Sequence, residues 1–173
     1  MRLAVTGTPG TGKTTATGEL ESRPGFDLEV VHLNELVEDD GLYTEIDPER
    51  DSKVADLEAL DERLAGREDV LIESHLAHHL AADRVAVLRC APEALEARLL
   101  ERGASEPKAR ENAESEALDV ILAEAVEGHG LESVYEIDTT DLEPEAVADA
   151  LEAVVTGERE PAAGEVDFVG YLR

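Results

Sequence analysis

Residues 7–14 read Gly-Thr-Pro-Gly-Thr-Gly-Lys-Thr, a complete G-x-x-x-x-G-K-[ST] loop between the apolar run Leu3-Ala4-Val5 and a helical stretch that starts at Lys13. A polyphosphate is best held by several backbone N–H groups converging on its oxygens at the positive end of a helix. Gly7, Gly10 and Gly12 let the backbone bend that closely. Lys13 then reaches the β- and γ-phosphate oxygens, the Thr14 hydroxyl is placed to ligate the Mg²⁺ that bridges them, and Thr15 can add a phosphate contact. A chance glycine-rich turn would lack the flanking strand and helix, and both are present. The chain reads as a binder of nucleotide phosphates.

The rest of the pattern agrees. Apolar runs of strand length at residues 3–6, 28–31, 70–72, 85–88 and 134–137 alternate with helical patterns at 13–21, 33–38, 54–65, 92–101, 106–125 and 144–155. Such alternation predicts an α/β fold, with a five-stranded parallel sheet between helices on both faces. Pro92 and Pro144 sit where a first helical turn accepts proline. Residues 157–164, which contain Pro161, read as a linker to a short tail at 165–173. That tail carries Phe168 and Tyr171 and is expected either to dock on the domain or to bind a partner.

At 173 residues the chain is long enough for one domain with a substantial core. No secretory signal opens it and no apolar run approaches membrane-spanning length, so a soluble cytoplasmic protein is expected. The single cysteine, Cys90, agrees with a reducing compartment and reads as a small buried residue at a strand end. Charge says more. Forty-two Asp and Glu face 15 Lys and Arg, a net charge of −27, and the lysines are Lys13, Lys53 and Lys108. Self-repulsion of this size weakens a compact state at low salt, whereas near 1 M salt the Debye length falls to about 3 Å and screens it. We read it as adaptation to a multimolar-salt cytoplasm of haloarchaeal type. Disorder is a poor alternative, because apolar residues reach 42% with clear periodicity. The charge also argues against a direct electrostatic grip on nucleic acid.

In open α/β sheets ligands sit beyond the carboxyl ends of the strands. Val70-Leu71-Ile72-Glu73 is an apolar strand ending in a carboxylate, and Glu73 can hold Mg²⁺ through its water shell. His75, two residues on, lies where it can contact the γ-phosphate or an attacking water, unless it merely starts a helix. His75, His78 and His79 lack the cysteine or downstream histidine that would complete a zinc set. No Asn-Lys-x-Asp element is present to read guanine, which favours ATP over GTP. Two inserts read as irregular. Residues 34–56 are polar and hold Tyr43. Residues 101–112 bring together Arg102, Lys108 and Arg110, a basic cluster suited to a lid over the transferring phosphoryl group, or else to ordinary surface ion pairs.

Together these residues carry a resemblance. Gly-Thr-Pro-Gly-Thr-Gly-Lys-Thr-Thr at 7–15, Leu42-Tyr43 with Asp47 and Asp51, Glu73-Ser74-His75, Val87-Leu88-Arg89, and Leu95 through Arg98-Leu99 to Arg102-Gly103 are similar to the adenylate kinase isoenzyme 6 family. The similarity covers roughly residues 1–155. It implies the three-layer P-loop NTPase fold, with a nucleoside-monophosphate kinase domain at 1–156, a monophosphate-binding region near 28–51 and a short lid near 101–111. It also implies transfer of the ATP γ-phosphate to AMP or other nucleoside monophosphates with Mg²⁺, an ATPase activity, and a part in late small-ribosomal-subunit maturation. The last would involve a platform ribosomal protein and pre-30S particles. Gly10, Gly12, Lys13, Thr14, Thr15 and Arg102 match the family's ATP-binding positions. As catalytic candidates we take Lys13, Glu73, His75 and Arg102, and as metal ligands Thr14 and Glu73. The chain departs from the family at Glu73, which replaces an Asp, at Ser74, and at Glu38, where some relatives carry an arginine. Two other readings stay open: a ribosome-assembly ATPase in which AMP phosphorylation is incidental, and a kinase for another small metabolite.

Overall fold

The structure, a computed structural model, describes residues 1–47 and 52–173. Five strands, β1 (Arg2–Thr6), β2 (Glu29–His32), β5 (Val70–Glu73), β6 (Arg84–Arg89) and β7 (Val134–Asp138), form one sheet. The order is β2-β5-β1-β6-β7, and every pairing is parallel. The strands are short and, apart from the edge strand β2, mostly buried on both faces, so their side chains alternate between two cores. On one side Leu3, Val5, Leu71, Leu88 and Ile137 pack on α1 (Lys13–Glu21) and α7 (Pro144–Thr156) through Ala16, Leu20, Ala148 and Leu151. On the other, Ala4, Ile72, Val85 and Val87 pack on α2 (Leu33–Asp40), α3 (Leu57–Leu64) and α6 (Val120–His129). The expected three-layer α/β architecture is the one observed.

Four details differ from the sequence expectation. The helix expected at 54–65 begins only at Leu57, because the Asp56 carboxylate accepts the Ala59 N–H at 3.0 Å and caps the helix there. The residues before it, β4 (Ser52–Ala55), pair antiparallel with β3 (Tyr43–Asp47), so the first insert is α2 followed by a two-stranded ribbon. Asp47 ends β3, whereas Asp51 lies outside the described residues.

The helix expected at 106–125 is two helices, α5 (Glu106–Ala117) and α6, broken where Asp119 takes φ 56°. The cause is a side chain. Arg89 at the end of β6 donates to the Glu116 carbonyl at 3.0 Å and to the Asp119 carboxylate, and so draws the chain out of the helical path. The second insert is also more regular than expected. Between α4 (Pro92–Glu101) and α5 only residues 102–105 form a turn, and Ser105 caps α5 by accepting the Lys108 N–H at 3.3 Å.

The C-terminal tail docks on the domain. Ala162 bridges to Tyr135 at the β7 edge, Phe168 covers the Arg89 guanidinium at 5.4 Å, and the Tyr171 hydroxyl donates to Glu96 at 2.7 Å. Cys90, directly after β6, is fully buried, and burial pushes its thiol above the ordinary range. Among the described residues no helix is long and apolar enough to cross a membrane.

Candidate active site at the phosphate loop

The carboxyl ends of β1 and β5 supply the centre of the site. β1 runs into Gly7, whose backbone passes so close to β6 that a Cβ would lie 2.5 Å from the Leu88 carbonyl oxygen. Only glycine fits there. Gly12 caps α1 with φ 91° and no side-chain cap, and a Cβ on it would meet nothing within 4 Å. The loop is therefore tight against the sheet on one side and open on the other. The first N–H groups of α1 lack intrahelical acceptors and point into that opening, where the helix dipole favours an anion. Thr14 and Thr15 are exposed there, on the first turn.

Lys13 is only 7% exposed and donates to the Gly7 carbonyl at 2.8 Å and the Thr8 carbonyl at 3.1 Å. Burial pushes its ammonium down to about 8, against the opposing pull of Glu73 and Glu116, and Arg102 adds to the depression. A cation desolvated to this degree beside unsatisfied N–H donors is a site prepared for negative charge.

Glu73 closes β5 and is almost wholly buried. The Thr14 hydroxyl donates to its Oε1 at 3.3 Å, and His32 Nδ1 stands 2.8 Å from its Oε2. Ser74 beside it donates to the Asn34 side chain at 3.3 Å, which ties β5 to the start of α2. A hydroxyl and a carboxylate converging within 3.3 Å are hard oxygen donors of the kind Mg²⁺ prefers, so Thr14 and Glu73 fit the ion. His75 is half-buried, and its imidazole is pushed down to about 4 by burial first, then by the charges of Lys13, His78 and His79. At neutral pH it is an uncharged ring within the field of Lys13.

A cleft of about 410 Å³ opens beside the loop, between Gly12 and Thr15 on one wall, Arg98 and Arg102 on the second, and Thr140 on the third. Arg98 donates weakly to the Gly10 carbonyl and the Thr140 carbonyl, each at 3.4 Å. The three bases of the second insert part company. Arg102 reaches the cleft, Lys108 is exposed and does not line it, and Arg110 pairs with Glu114 at 3.1 Å and lines a separate hollow with Tyr171.

Sequence reasoning missed His32 and Asn34, and took Arg98 only as part of a resemblance. The signal for His32 was available, because it closes a strand at the same sheet edge as Glu73. Arg98 lies mid-helix, and only the packing of α4 against Gly10, where a Cβ would strike Leu95 at 2.8 Å, brings it to the loop.

Comparison with known proteins agrees with this geometry. The family described as "AAA domain" matches residues 3–119. A protein of Natronomonas pharaonis named "Putative adenylate kinase" is 62% identical over 172 residues, covering 99% of this chain and 100% of its own. One of the same name from Methanothermobacter thermautotrophicus is 44% identical over 172 residues, covering 98% of each. Among solved structures, a deoxyadenosine kinase from M. mycoides superposes with a TM-score of 0.58 at 16% identity, covering 92% of this chain and 100% of that one. A shikimate kinase from Bacteroides thetaiotaomicron gives 0.56 at 19%, covering 90% and 98%. At such identities the structures speak for the fold alone, which is that of the P-loop kinases. Full-length identity to the archaeal relatives speaks for more: the chain belongs to their adenylate kinase family and is a P-loop nucleotide phosphotransferase.

Proposed function

We propose that the chain transfers the γ-phosphate of ATP to a nucleoside monophosphate, AMP foremost, in a salt-rich cytoplasm. The observation that supports this most is the convergence of Lys13, Arg102, the open first turn of α1 and the Thr14–Glu73 pair on one edge of the sheet. In this reading 1–156 is the kinase domain, the segment near 28–51 takes the monophosphate, and the turn near 101–111 closes as a lid.

The roles follow from position. The N–H groups of Gly10, Gly12, Lys13, Thr14 and Thr15 cradle the polyphosphate, and the Lys13 ammonium leaves its own loop carbonyls to neutralise phosphoryl oxygens. Arg102 faces the same cleft and balances charge that develops on transfer. Thr14 and Glu73 would hold Mg²⁺, which when bound neutralises phosphate charge; His32 orients Glu73 through its other oxygen. His75, neutral, donates or accepts a hydrogen bond at the transferring phosphate or an attacking water, and carries no charge to either. No covalent intermediate is needed, because positioning and charge stabilisation supply the rate.

Replacing Thr14 separates the hydroxyl from its bulk. Thr14→Ser is expected to keep turnover within a few-fold, while Thr14→Ala, measured by ADP formation across a Mg²⁺ titration, should lose ~100-fold and require more Mg²⁺. Equal activity in the two variants would remove the hydroxyl from the mechanism.

One observation favours a second reading. At the acceptor side α2 presents Glu35, Glu38, Asp39 and Asp40, and the nearby Arg63 is held by Asp40 at 3.0 Å. Arg50 falls outside the described residues. A weak grip on AMP would leave ATP hydrolysis as the main turnover, coupled to binding and release of a small-subunit ribosomal protein during maturation of its particle. Its test is capture of such a protein from a salt-adapted lysate and release that requires hydrolysable ATP.

A further inference from the structure

The 3₁₀ turn Ala77–His79, which follows β5, sets two imidazoles against a carboxylate from α6. His78 Nε2 stands 2.8 Å and His79 Nε2 3.6 Å from the same Glu124 oxygen, and all three donor atoms lie within 4.8 Å of one another. A search for local zinc spacing finds only the histidine half of this group. The fold adds the third donor from a helix far along the chain.

We propose that His78, His79 and Glu124 bind one divalent transition-metal ion of the Zn²⁺, Co²⁺ or Ni²⁺ class. Two imidazoles and one carboxylate are the donors such ions select, whereas Mg²⁺ selects oxygen. Around an ion with bonds of about 2.0–2.1 Å, tetrahedral neighbours stand about 3.4 Å apart. The observed 2.8 and 3.6 Å bracket that edge. The third edge, between the two histidine nitrogens, lies within 4.8 Å and closes to that length when the half-exposed His79 ring turns, while Glu124, its side chain 42% exposed, can follow.

Three further features are those of a built site rather than a chance cluster. The His78 ring is 1% exposed and held from behind, with Nδ1 2.7 Å from the Thr6 hydroxyl. When the Nδ1 proton is given to Thr6, Nε2 turns its lone pair toward the cluster, which is how a ligating histidine is oriented. The turn itself is pinned, since His129 Nε2 donates to the His78 carbonyl at 2.7 Å. The two rings lie 4.1 Å apart and tilted by 39°, and His79 with Glu124 opens to solvent, leaving an entry path and room for water as a fourth ligand. Because Thr6 is the last residue of β1, an ion here would brace the strand that launches the phosphate loop while occupying different donors from the Thr14–Glu73 pair.

Co²⁺ titrated into the full chain in multimolar KCl with excess Mg²⁺ tests this, the Mg²⁺ filling carboxylate-only sites on the acidic surface. The expected result is one equivalent of Co²⁺ bound, with the visible absorption of a four- or five-coordinate nitrogen-ligated ion, displaced by Zn²⁺. His79→Ala and Glu124→Gln should each weaken binding at least ~10-fold with unchanged far-UV circular dichroism. Where alanine disturbs the turn, His79→Gln serves in its place. Absence of stoichiometric binding, or a Co²⁺ spectrum and affinity unchanged in both variants, would overturn the proposal.

Discussion

Lys13→Ala is expected to reduce phosphoryl transfer by at least ~10³-fold while the chain remains folded. Both halves follow from the same facts. Lys13 makes its described hydrogen bonds to two carbonyls of its own loop, and its charge is held in a desolvated position that costs stability. Removing it relieves that cost, so the unfolding midpoint in multimolar KCl should hold or rise slightly. What is lost is the cation that meets the phosphates. Turnover within ~10-fold of the parent would place the phosphate-neutralising role elsewhere.

Arg89→Met is expected to act in the opposite sense, destabilising the fold by about 3–5 kcal/mol. Arg89 is 1% exposed and spans the protein interior. Its Nε donates to Glu116 at 2.7 Å and its Nη1 to Glu136 at 2.7 Å, and each of these carboxylates is 3% exposed. Each carboxylate also accepts two further hydrogen bonds. Glu116 accepts the Thr8 hydroxyl at 2.6 Å and the Cys90 N–H at 3.1 Å, while Glu136 accepts the Glu165 and Val166 N–H groups at 2.8 and 3.1 Å. One guanidinium thus links the phosphate loop to the C-terminal tail. Without it two buried carboxylates lose their counter-charge, and an unpaired buried charge is far costlier than the pair was favourable. Arg89→Lys should rescue little, because a single ammonium cannot copy the planar fork. Denaturant unfolding in multimolar KCl measures both variants; a loss below ~1 kcal/mol would show that the network is not structural.

The layers of the fold were legible in the sequence because strand and helix periods are local properties, and a doubly covered parallel sheet makes its strands apolar throughout. The phosphate loop was legible because glycine spacing encodes backbone geometry directly. Less local features were hidden. The break at Asp119 depends on an arginine thirty residues earlier reaching a helix carbonyl. The β3–β4 ribbon depends on Asp56 choosing to cap a helix, in a segment whose acidic composition suits either state. His32 and Glu124 were passed over because acidic and imidazole side chains acquire meaning from partners that only the sheet order supplies. A chain with this many carboxylates makes the informative ones hard to single out by type alone.

The central claim, that the phosphate-loop edge transfers a phosphoryl group to a nucleoside monophosphate, is tested most directly by product stoichiometry. ADP formation from Mg-ATP would be measured in multimolar KCl with and without AMP, CMP, GMP and UMP. The expected result is a large rise with AMP, with two ADP formed for each ATP consumed, and smaller rises with the others, each giving one ADP and one acceptor diphosphate per ATP. Slow hydrolysis indifferent to every monophosphate, with one ADP per ATP, would contradict it.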